Sequence, residues 1–395
     1  MKRLFLLLTL IGFLATACGE KEDNTPTNDN APEQPDNNDD GDDYIDDGYP
    51  HQEIWYTSTD GKIVKPYAIG SKTFSAEILT NTYENSKGVI TFDGDVTMLG
   101  ERAFYQCSDL ETLILPNSIT SFGYCALACC SNLKSVNIPT STTLIGDVAF
   151  YQCDSLTELT LPDSVITIGS EAFSECHNLQ TLTFGNSIKS IGYGAFAFCM
   201  GLESVTLPNS VTTLEKDVFF GCKGLRSVYL PNSISIIPDG MFANCENLKD
   251  ITLPEQLTEI GNLAFGWCLS LETVVIPEGT TSIGKDAFIE CIELSSVTLP
   301  TSLTAIQYGT FNKCTSLETI TIPANVAYIY SSAFEGCTSL REVYCLQQFV
   351  PELEDGVSTF SDNAEGRVFY VPRHLIEEYK EHPEWGKFSD CIKAL

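Results

Sequence analysis

Basic residues are scarce in this chain. Its 395 residues include 22 Lys and Arg against 53 Asp and Glu, which gives a formal net charge of −31 at pH 7. The few cations are not gathered into a stripe anywhere along the sequence. Nucleic-acid-binding proteins neutralise phosphates with clustered Lys and Arg, so the composition excludes a nucleic-acid partner.

Sequence motifs of catalysis are also missing. The chain contains no G-x-S-x-G, phosphate-binding loop, H-E-x-x-H or dinucleotide-binding glycine pattern. Two of the four histidines, His374 and His382, lie near the C-terminal end without a matched nucleophile and orienting acid. We interpret both as surface or terminal-segment residues. We expect no enzyme activity, no metal and no cofactor.

The apolar run near the start of the chain is too short to cross a bilayer. It covers residues 4–14, whereas a spanning helix needs about 20 residues. Lys2 and Arg3 precede it and the small residues 15–17 follow it, which is the order of a secretory signal peptide. We therefore predict a signal peptide at residues 1–17.

A cysteine follows this run directly. The small residues before Cys18 resemble a bacterial lipobox, which implies cleavage before Cys18 and a lipid on its thiol. Residues 21–23 (Lys-Glu-Asp) resemble the surface-export signal of lipoproteins from Bacteroidetes-type bacteria. These resemblances imply an outer-membrane protein that is anchored by lipid and exposed at the cell surface. The alternative is an ordinary signal peptide with a chance cysteine nearby.

An acidic linker is predicted at residues 18–53. Residues 19–48 hold twelve Asp and Glu, one Lys and almost no apolar side chain, so burial cannot offset the entropy of ordering them. Part of the linker matches the spacing of an EF-hand calcium loop, at Asp36, Asn38, Asp40, Gly41 and Asp47. Because Pro35 precedes this stretch and Pro50 follows it, no helix can flank it. We predict a solvated spacer, with a calcium site as the alternative.

A repeat of 23 residues accounts for most of the remaining chain. Cysteine recurs at this interval eleven times from Cys107 to Cys337, together with leucine from Leu110 to Leu340. Phenylalanine and proline follow the same period from Phe104 and Pro116, with one exception each. An unbroken period of this length predicts a solenoid, in which each repeat is one coil stacked on the next.

The repeat C-x-x-L-x-x-[VIL]-x-[IL]-P-x-S-V-T-x-I-G-x-x-A-F-x-x resembles the BspA-like class of leucine-rich repeats, over residues 85–345. The resemblance implies adhesion, because BspA-like surface proteins are associated with binding host matrix proteins and with contacts between bacteria. The repeat motif itself does not identify the ligand.

The residues of one repeat lead to a compatible fold. Leu156, Leu159 and Leu161 have an L-x-x-L-x-L spacing, and its last three residues alternate in, out, in, which predicts a short strand with one buried face. Pro162 lacks the N–H that would continue the ladder, and Gly169 marks a turn before a short helical or 3₁₀ turn at Phe173. We therefore predict an α/β repeat solenoid of 23-residue coils, with a parallel β-sheet on one face and a cap at both ends. At about 4.8 Å per coil, that sheet would be on the order of 50 Å long.

Atypical segments flank the repeats, which we place at residues 102–345. Residues 54–101 lack the repeating leucine and proline, and they predict an N-terminal cap in which residues 54–86 form hairpin strands over the first coil. Residues 346–395 predict a C-terminal cap, with a strand and then a helix that begins at Pro372.

The cysteine column predicts buried free thiols. A cysteine behaves as a small, weakly polar side chain that fits a tight corner of each coil. Stacked Cβ vectors run parallel, so neighbouring cysteines would not converge to the usual disulfide separation of about 3.8 Å. No Cys-x-x-Cys and no periodic histidine favours a metal. Off the column, a disulfide between Cys345 and Cys391 is left open as an alternative.

The outward strand positions form the predicted binding surface. These columns are mostly threonine and serine, which in the simplest interpretation is a soluble strand face with no ligand. Aromatic and acidic departures mark the candidate partner site, at Tyr229, Asp250, Glu158 and Tyr344. We predict a scaffold that binds a host matrix protein or a bacterial surface protein. The alternative is a carbohydrate-capture lipoprotein, which would need exposed aromatic platforms.

Overall fold

The computed structural model describes residues 50–67 and 73–395. The predicted signal peptide, Cys18 and the linker up to residue 49, including the calcium-loop pattern, lie outside the described residues. No described helix is long and apolar enough to cross a membrane.

An antiparallel sheet begins the described chain. Its strands are β1 (Glu53–Ser58), β2 (Ile78–Glu84) and β3 (Lys87–Phe92). β1 pairs with β3 on one side and with the first repeat strand, Leu110–Ile114, on the other. A Cβ at Gly88 would fall 2.1 Å from the ring of Tyr56, so glycine is required where these strands cross. β1 includes Glu53, the last residue of the predicted linker.

Each coil then contributes two short strands. In chain order these are β4 (Met98–Leu99), β5 (Leu110–Ile114), β6 (Ser121–Phe122), β7 (Ser135–Val136), β8 (Leu144–Ile145), β9 (Glu158–Thr160), β10 (Thr167–Ile168), β11 (Thr181–Thr183), β12 (Ser190–Ile191), β13 (Ser204–Thr206), β14 (Thr213–Leu214), β15 (Ser227–Tyr229), β16 (Ile236–Ile237), β17 (Asp250–Thr252), β18 (Glu259–Ile260), β19 (Thr273–Val275), β20 (Ser282–Ile283), β21 (Ser296–Thr298), β22 (Ala305–Ile306), β23 (Thr319–Ile322), β24 (Tyr328–Ile329), β25 (Glu342–Cys345) and β26 (Glu352–Leu353).

The strands line two sides of the solenoid. Odd-numbered strands from β5 to β25 form the first sheet, and even-numbered strands from β4 to β26 form the second, each in several hydrogen-bonded segments. The strands pair in parallel, and each residue lies opposite the residue 23 positions later, as Glu158 lies opposite Thr181. The predicted solenoid of 23-residue coils is confirmed. The expectation of a sheet on one face was incomplete, because the β-branched residues after each proline turn build a second sheet.

Turns rather than helices form the third side of each coil. Two residues four positions apart adopt positive φ there, for example Glu171 (52°) and Glu175 (59°). Backbone N–H groups in this segment bond to the following coil, with Glu171 N 2.7 Å from Tyr193 O and Phe173 N 2.8 Å from Ala195 O. These bonds replace the intrahelical bonds that a helix would form. The described helices are confined to residues 356–391, so the α/β character of the repeats is not confirmed.

The repeating leucines and phenylalanines fill the core. Every leucine of the column from Leu110 to Leu340 is fully buried. Successive phenylalanine rings from Phe150 to Phe334 stack with centroids 4.9–5.9 Å apart. This separation falls within the range of favourable aromatic pairs, so the column stabilises contacts between neighbouring coils throughout the repeats.

The cysteine column connects neighbouring coils by hydrogen bonds. From Cys130 to Cys337, each thiol donates to the backbone carbonyl 26 residues earlier at 3.0–3.3 Å. The same carbonyl also accepts an N–H within its own coil, so Phe150 O receives both Cys153 N and Cys176 Sγ at 3.2 Å. A carbonyl oxygen has two lone pairs, and the thiol occupies the second.

All cysteines in residues 50–67 and 73–395 are free. The prediction of unpaired thiols is therefore confirmed for this part of the chain, and the alternative disulfide between Cys345 and Cys391 is not formed. Burial raises the pKa of Cys176 and Cys222 to about 12, because a thiolate would lose its hydration there.

The C-terminal segment continues the first sheet. β27 (Val368–Val371) pairs in parallel with β25, and β28 (Ile392–Ala394) pairs with β27. The elements after the repeats are α1 (Gly356–Thr359), β27 (Val368–Val371), a 3₁₀ turn (Arg373–Leu375), α2 (Ile376–Glu381), a second 3₁₀ turn (Trp385–Cys391) and β28 (Ile392–Ala394). The sequence predicts a helix that begins at Pro372. In the structure Pro372 is instead the N-cap residue of the first of these 3₁₀ turns, and α2 begins at Ile376. Trp385 is fully buried, and its indole N–H donates to Pro351 O at 2.8 Å.

Candidate protein-binding surface

The outward residues of the first sheet form a regular surface. Most of its strands have three residues, of which the middle one faces the core and the outer two are exposed, as in β13. This alternation follows from the period of two in a strand. Stacked coils therefore place equivalent side chains in straight columns, about 4.8 Å apart.

Tyr229 interrupts the threonine column at the middle of the repeats. It is the most exposed large apolar side chain of the described residues, with 75% of its surface accessible. Its neighbours in the ladder are Thr206 on β13 and Thr252 on β17. Because both neighbours are short, the tyrosine ring stands above the surrounding sheet.

Asp250 and Val275 extend the surface around Tyr229. Asp250 is exposed and lies opposite Ser227, diagonally across from Tyr229 on the next coil, as the sequence predicts. Val275, with 69% exposure, lies in the same threonine column as Tyr229, two coils further along. The three side chains place an apolar ring, an aliphatic group and a carboxylate on one face. This combination suits a protein partner that contributes both apolar and polar groups.

The other two predicted site residues do not join this group. Glu158 is exposed, but it lies three coils before Ser227 in the same column, or about 14 Å away. Tyr344 lies five coils after Tyr229, where its ring stacks on Tyr370 at 4.9 Å and its hydroxyl donates to Glu342 at 2.9 Å.

Tyr370 lies beside Tyr344 in the structure but was not among the site residues predicted from the sequence. Its segment, Phe369-Tyr370-Val371-Pro372, has the same order of inward and outward residues as Val228-Tyr229-Leu230-Pro231. This likeness was the available signal, but Tyr370 lies beyond the last repeating cysteine. The structure pairs Tyr344 with Tyr370 on neighbouring strands.

The histidines near the C-terminal end do not form a catalytic group. His382 Nδ1 accepts the backbone N–H groups of Glu384 and Trp385 at 3.2 and 3.4 Å, which orders the turn after α2. His374 is exposed. Over the described ranges, no group of three or more His, Cys, Asp and Glu side chains is arranged to hold a metal ion.

A known protein-family model matches most of the repeat region. The family model described as "BspA type Leucine rich repeat region" matches residues 68–188, 143–272 and 258–363, in six copies. A search of curated proteins finds no match.

The chain is also similar to several solved structures. A leucine-rich repeat protein from Bacteroides ovatus is 22% identical with a TM-score of 0.57, covering 88% of this chain and all of that one. A leucine-rich cell surface protein from Faecalibacterium prausnitzii is 26% identical with a TM-score of 0.46, covering 71% of this chain and 79% of its own. The pneumococcal vaccine antigen PcpA is 18% identical with a TM-score of 0.42, covering 84% and 98%.

Proposed function

The chain belongs to the BspA-type leucine-rich repeat family, and we propose that it is a cell-surface lipoprotein whose solenoid binds a protein partner. The partner class is a host matrix protein or another cell-surface protein. Solenoids suit this role because stacked repeats create an extended, rigid surface. The proposal includes no catalytic step and no cofactor.

The exposure of Tyr229 carries the proposal. Because its ring is 75% exposed, Tyr229 adds little to the stability of the free protein. Burial of the same ring in an interface would contribute strongly to the free energy of binding. The rigid ladder on either side of Tyr229 fixes its backbone, so little conformational entropy is lost on binding. Asp250 adds a carboxylate that would orient a partner's donor groups.

Surface attachment is proposed from the start of the sequence. The signal-peptide pattern, the lipobox resemblance at Cys18 and the acidic spacer to residue 53 together support a lipid-anchored protein of the outer membrane.

We also propose that the terminal segments cap the solenoid. β1 covers the open edge of β5, and β27 and β28 continue the first sheet after β25. Both segments bury large aromatic side chains, Tyr56 at one end and Trp385 at the other. Without them, the terminal coils would expose core and strand edges to water.

The test is a binding screen of the full-length chain against purified matrix proteins and polysaccharides in parallel. We expect a matrix protein to bind and Tyr229→Ala to weaken that binding about 30-fold, the usual loss of an interface anchor worth 2 kcal/mol. Thr321→Ala is the matched control, because Thr321 occupies the same column on β23. Equal affinities for wild type and Tyr229→Ala would show that the surface around Tyr229 is not the binding site.

Glycan capture is the second candidate function, and one observation favours it. Tyr344 and Tyr370 form a stacked pair beside Glu342, which is the kind of aromatic platform that sugars bind. However, one face of each ring is already covered by the other ring, so only the outer faces are open to a sugar. If a polysaccharide binds in the screen and Tyr370→Ala abolishes this, glycan capture replaces the protein-binding proposal.

A further inference from the structure

A glycine column holds the coils of the second sheet close together. Glycine ends the strand at residues 123, 146, 169 and 192, and again at 261 and 284. A Cβ on Gly192 would fall 2.6 Å from Ser170 N, and one on Gly261 would fall 2.5 Å from Asp239 N. Real Cβ atoms do not approach backbone so closely. A larger residue in this column therefore needs a shift of the adjoining backbone, although Glu215 N and Tyr330 N keep their bonds to Ile191 O and Ile306 O at 3.0 and 2.9 Å.

Glu215 and Pro238 occupy this column in two successive coils, and Gln307 and Tyr330 follow Gly284 in the same column. In the described structure the second sheet is interrupted between β20 and β22, at the coil of Gln307, and between β14 and β16, at the coil of Pro238. Pro238 has no N–H, so it cannot repeat the bond that Glu215 N makes to Ile191 O at 3.0 Å. The separation also reaches the core. Leu214 is only half-buried, whereas Ile191 and Ile237 at the same position are buried.

A groove of about 720 Å³ lies at the interruption between β14 and β16. Its apolar lining includes Tyr193, Leu214, Ile236 and Pro238. Its charged residues are Glu215, Lys216, Asp239 and Glu259. Lys216 is already paired with Asp239 at 2.8 Å, so the carboxylates of Glu215 and Glu259 leave the groove net negative. One oxygen of Glu215 accepts the N–H of Tyr193 at 3.0 Å, which holds this carboxylate against the groove.

We propose that this groove binds a short basic segment of a protein partner, with an aliphatic side chain against Leu214 and a Lys or Arg beside Glu215 and Glu259. Charge complementarity selects this occupant. Both the groove and the whole chain are acidic, which would attract a cationic segment and repel an anionic one. For the same reason, the chain's own acidic residues 19–48 are a poor occupant. The groove lies on the second sheet and does not include Tyr229, so this proposal and the proposed function succeed or fail separately.

The test uses a labelled peptide, GSKLKSG, and the full-length chain at physiological ionic strength, with binding followed by fluorescence anisotropy. We expect Glu259→Gln and Glu215→Gln each to weaken binding about three- to fivefold, the loss of one exposed charge pair. Glu158→Gln is the control, because this exposed carboxylate lies on the first sheet. The peptides GSELESG and GSKSKSG should bind at least about tenfold more weakly, since they lose the charge match or the apolar anchor.

The double change Glu215→Gly with Pro238→Gly restores the column, and we expect it to close the groove and remove binding. Thermal unfolding by circular dichroism shows whether this variant is folded. The proposal is overturned if GSKLKSG does not bind, or if Glu158→Gln weakens binding as much as Glu259→Gln does. It is also overturned if the folded double variant binds like wild type or if a neutral glucose oligomer competes for the groove.

Discussion

Two neighbouring regions of the solenoid share their core but differ at the surface. In the coils from residue 123 to 199, glycine ends every strand of the second sheet, and threonine or asparagine fills the outward column of the first. In the coils from residue 200 to 261, Glu215 and Pro238 replace glycine, and Tyr229 replaces threonine. The cysteine, leucine and phenylalanine columns are nevertheless fully buried in both regions.

The difference separates two kinds of repeat position. Inward columns are constrained by both neighbouring coils, so a change there would disturb three coils at once. The glycine column constrains only how closely two coils approach at one corner. Its loss interrupts a few ladder bonds and exposes part of Leu214, while Leu225 and Phe219 in the core of the same region stay fully buried. Surface features can therefore change in this solenoid without loss of the fold.

The largest predicted effect tests whether the second region really retains the core of the first. Leu225→Ala should lower the free energy of unfolding by about 2–5 kcal/mol, because it leaves a cavity in a fully buried site. Thr206→Ala on the exposed strand face should cost well under that. Chemical denaturation measures both. Equal losses would mean that the inward and outward faces are assigned the wrong way round.

The next effect tests the glycine column directly. Gly192→Ala should destabilise the chain by about 1–3 kcal/mol, because its Cβ would lie 2.6 Å from Ser170 N in a close-packed region. Glu215→Gly in the second region should change stability by no more than about 1 kcal/mol, the usual backbone-entropy effect of glycine. If Gly192→Ala is as stable as wild type, close coil contact does not depend on glycine.

A smaller effect is expected from the cysteine ladder. Cys245→Ala removes the thiol that donates to Phe219 O at 3.2 Å, and we expect a loss of about 1 kcal/mol, the net value of one hydrogen bond. The carbonyl keeps the N–H of Cys222, so no buried acceptor is left without a partner. Ser204→Ala on the exposed face serves as the control. A loss above about 3 kcal/mol would indicate packing rather than the hydrogen bond as the main contribution.

Thiol reactivity should show no difference between the regions. Burial raises the pKa of Cys176 and Cys222 to about 12, so both should be protonated and unreactive toward a thiol reagent at pH 8.5 in the folded chain. Denaturation without reductant should make the column cysteines reactive. Because these pKa values lie above the ordinary value near 9, their contribution to stability is full below pH 9 and is lost as the pH rises toward 12. Rapid labelling of Cys222 alone would show that the groove opens the core.

Some of this structure was accessible from the sequence, for definite physical reasons. The period of 23 located the coils, and the leucine, phenylalanine and cysteine columns identified the core, since repetition exposes positions that every coil must bury. The positive φ of Glu171 and Glu175 was not predictable, because nothing in a glutamate favours that conformation and only the bonds to the next coil stabilise it. Stacking on Tyr370 likewise depends on a strand outside the repeat.

The groove could have been predicted from the sequence, but it was not. The glycine column is visible in the printed sequence, and so are its exceptions at Glu215, Pro238, Gln307 and Tyr330. Their meaning became clear only when the structure showed how little space separates Gly192 from Ser170. Tyr229 and Asp250, by contrast, were found from the sequence because the strand period alone places them on the outward face.

Hydrogen exchange of the full-length chain, free and with the partner from the binding screen, tests the central claim most directly. That claim is that function lies where the outward columns depart from the repeat. We predict partner-dependent protection in β13, β15, β17 and β19, the strands around Tyr229, Asp250 and Val275, with little change in β7, β9 and β11. Protection spread evenly over all coils, or confined to the regular coils from residue 123 to 199, would contradict the account.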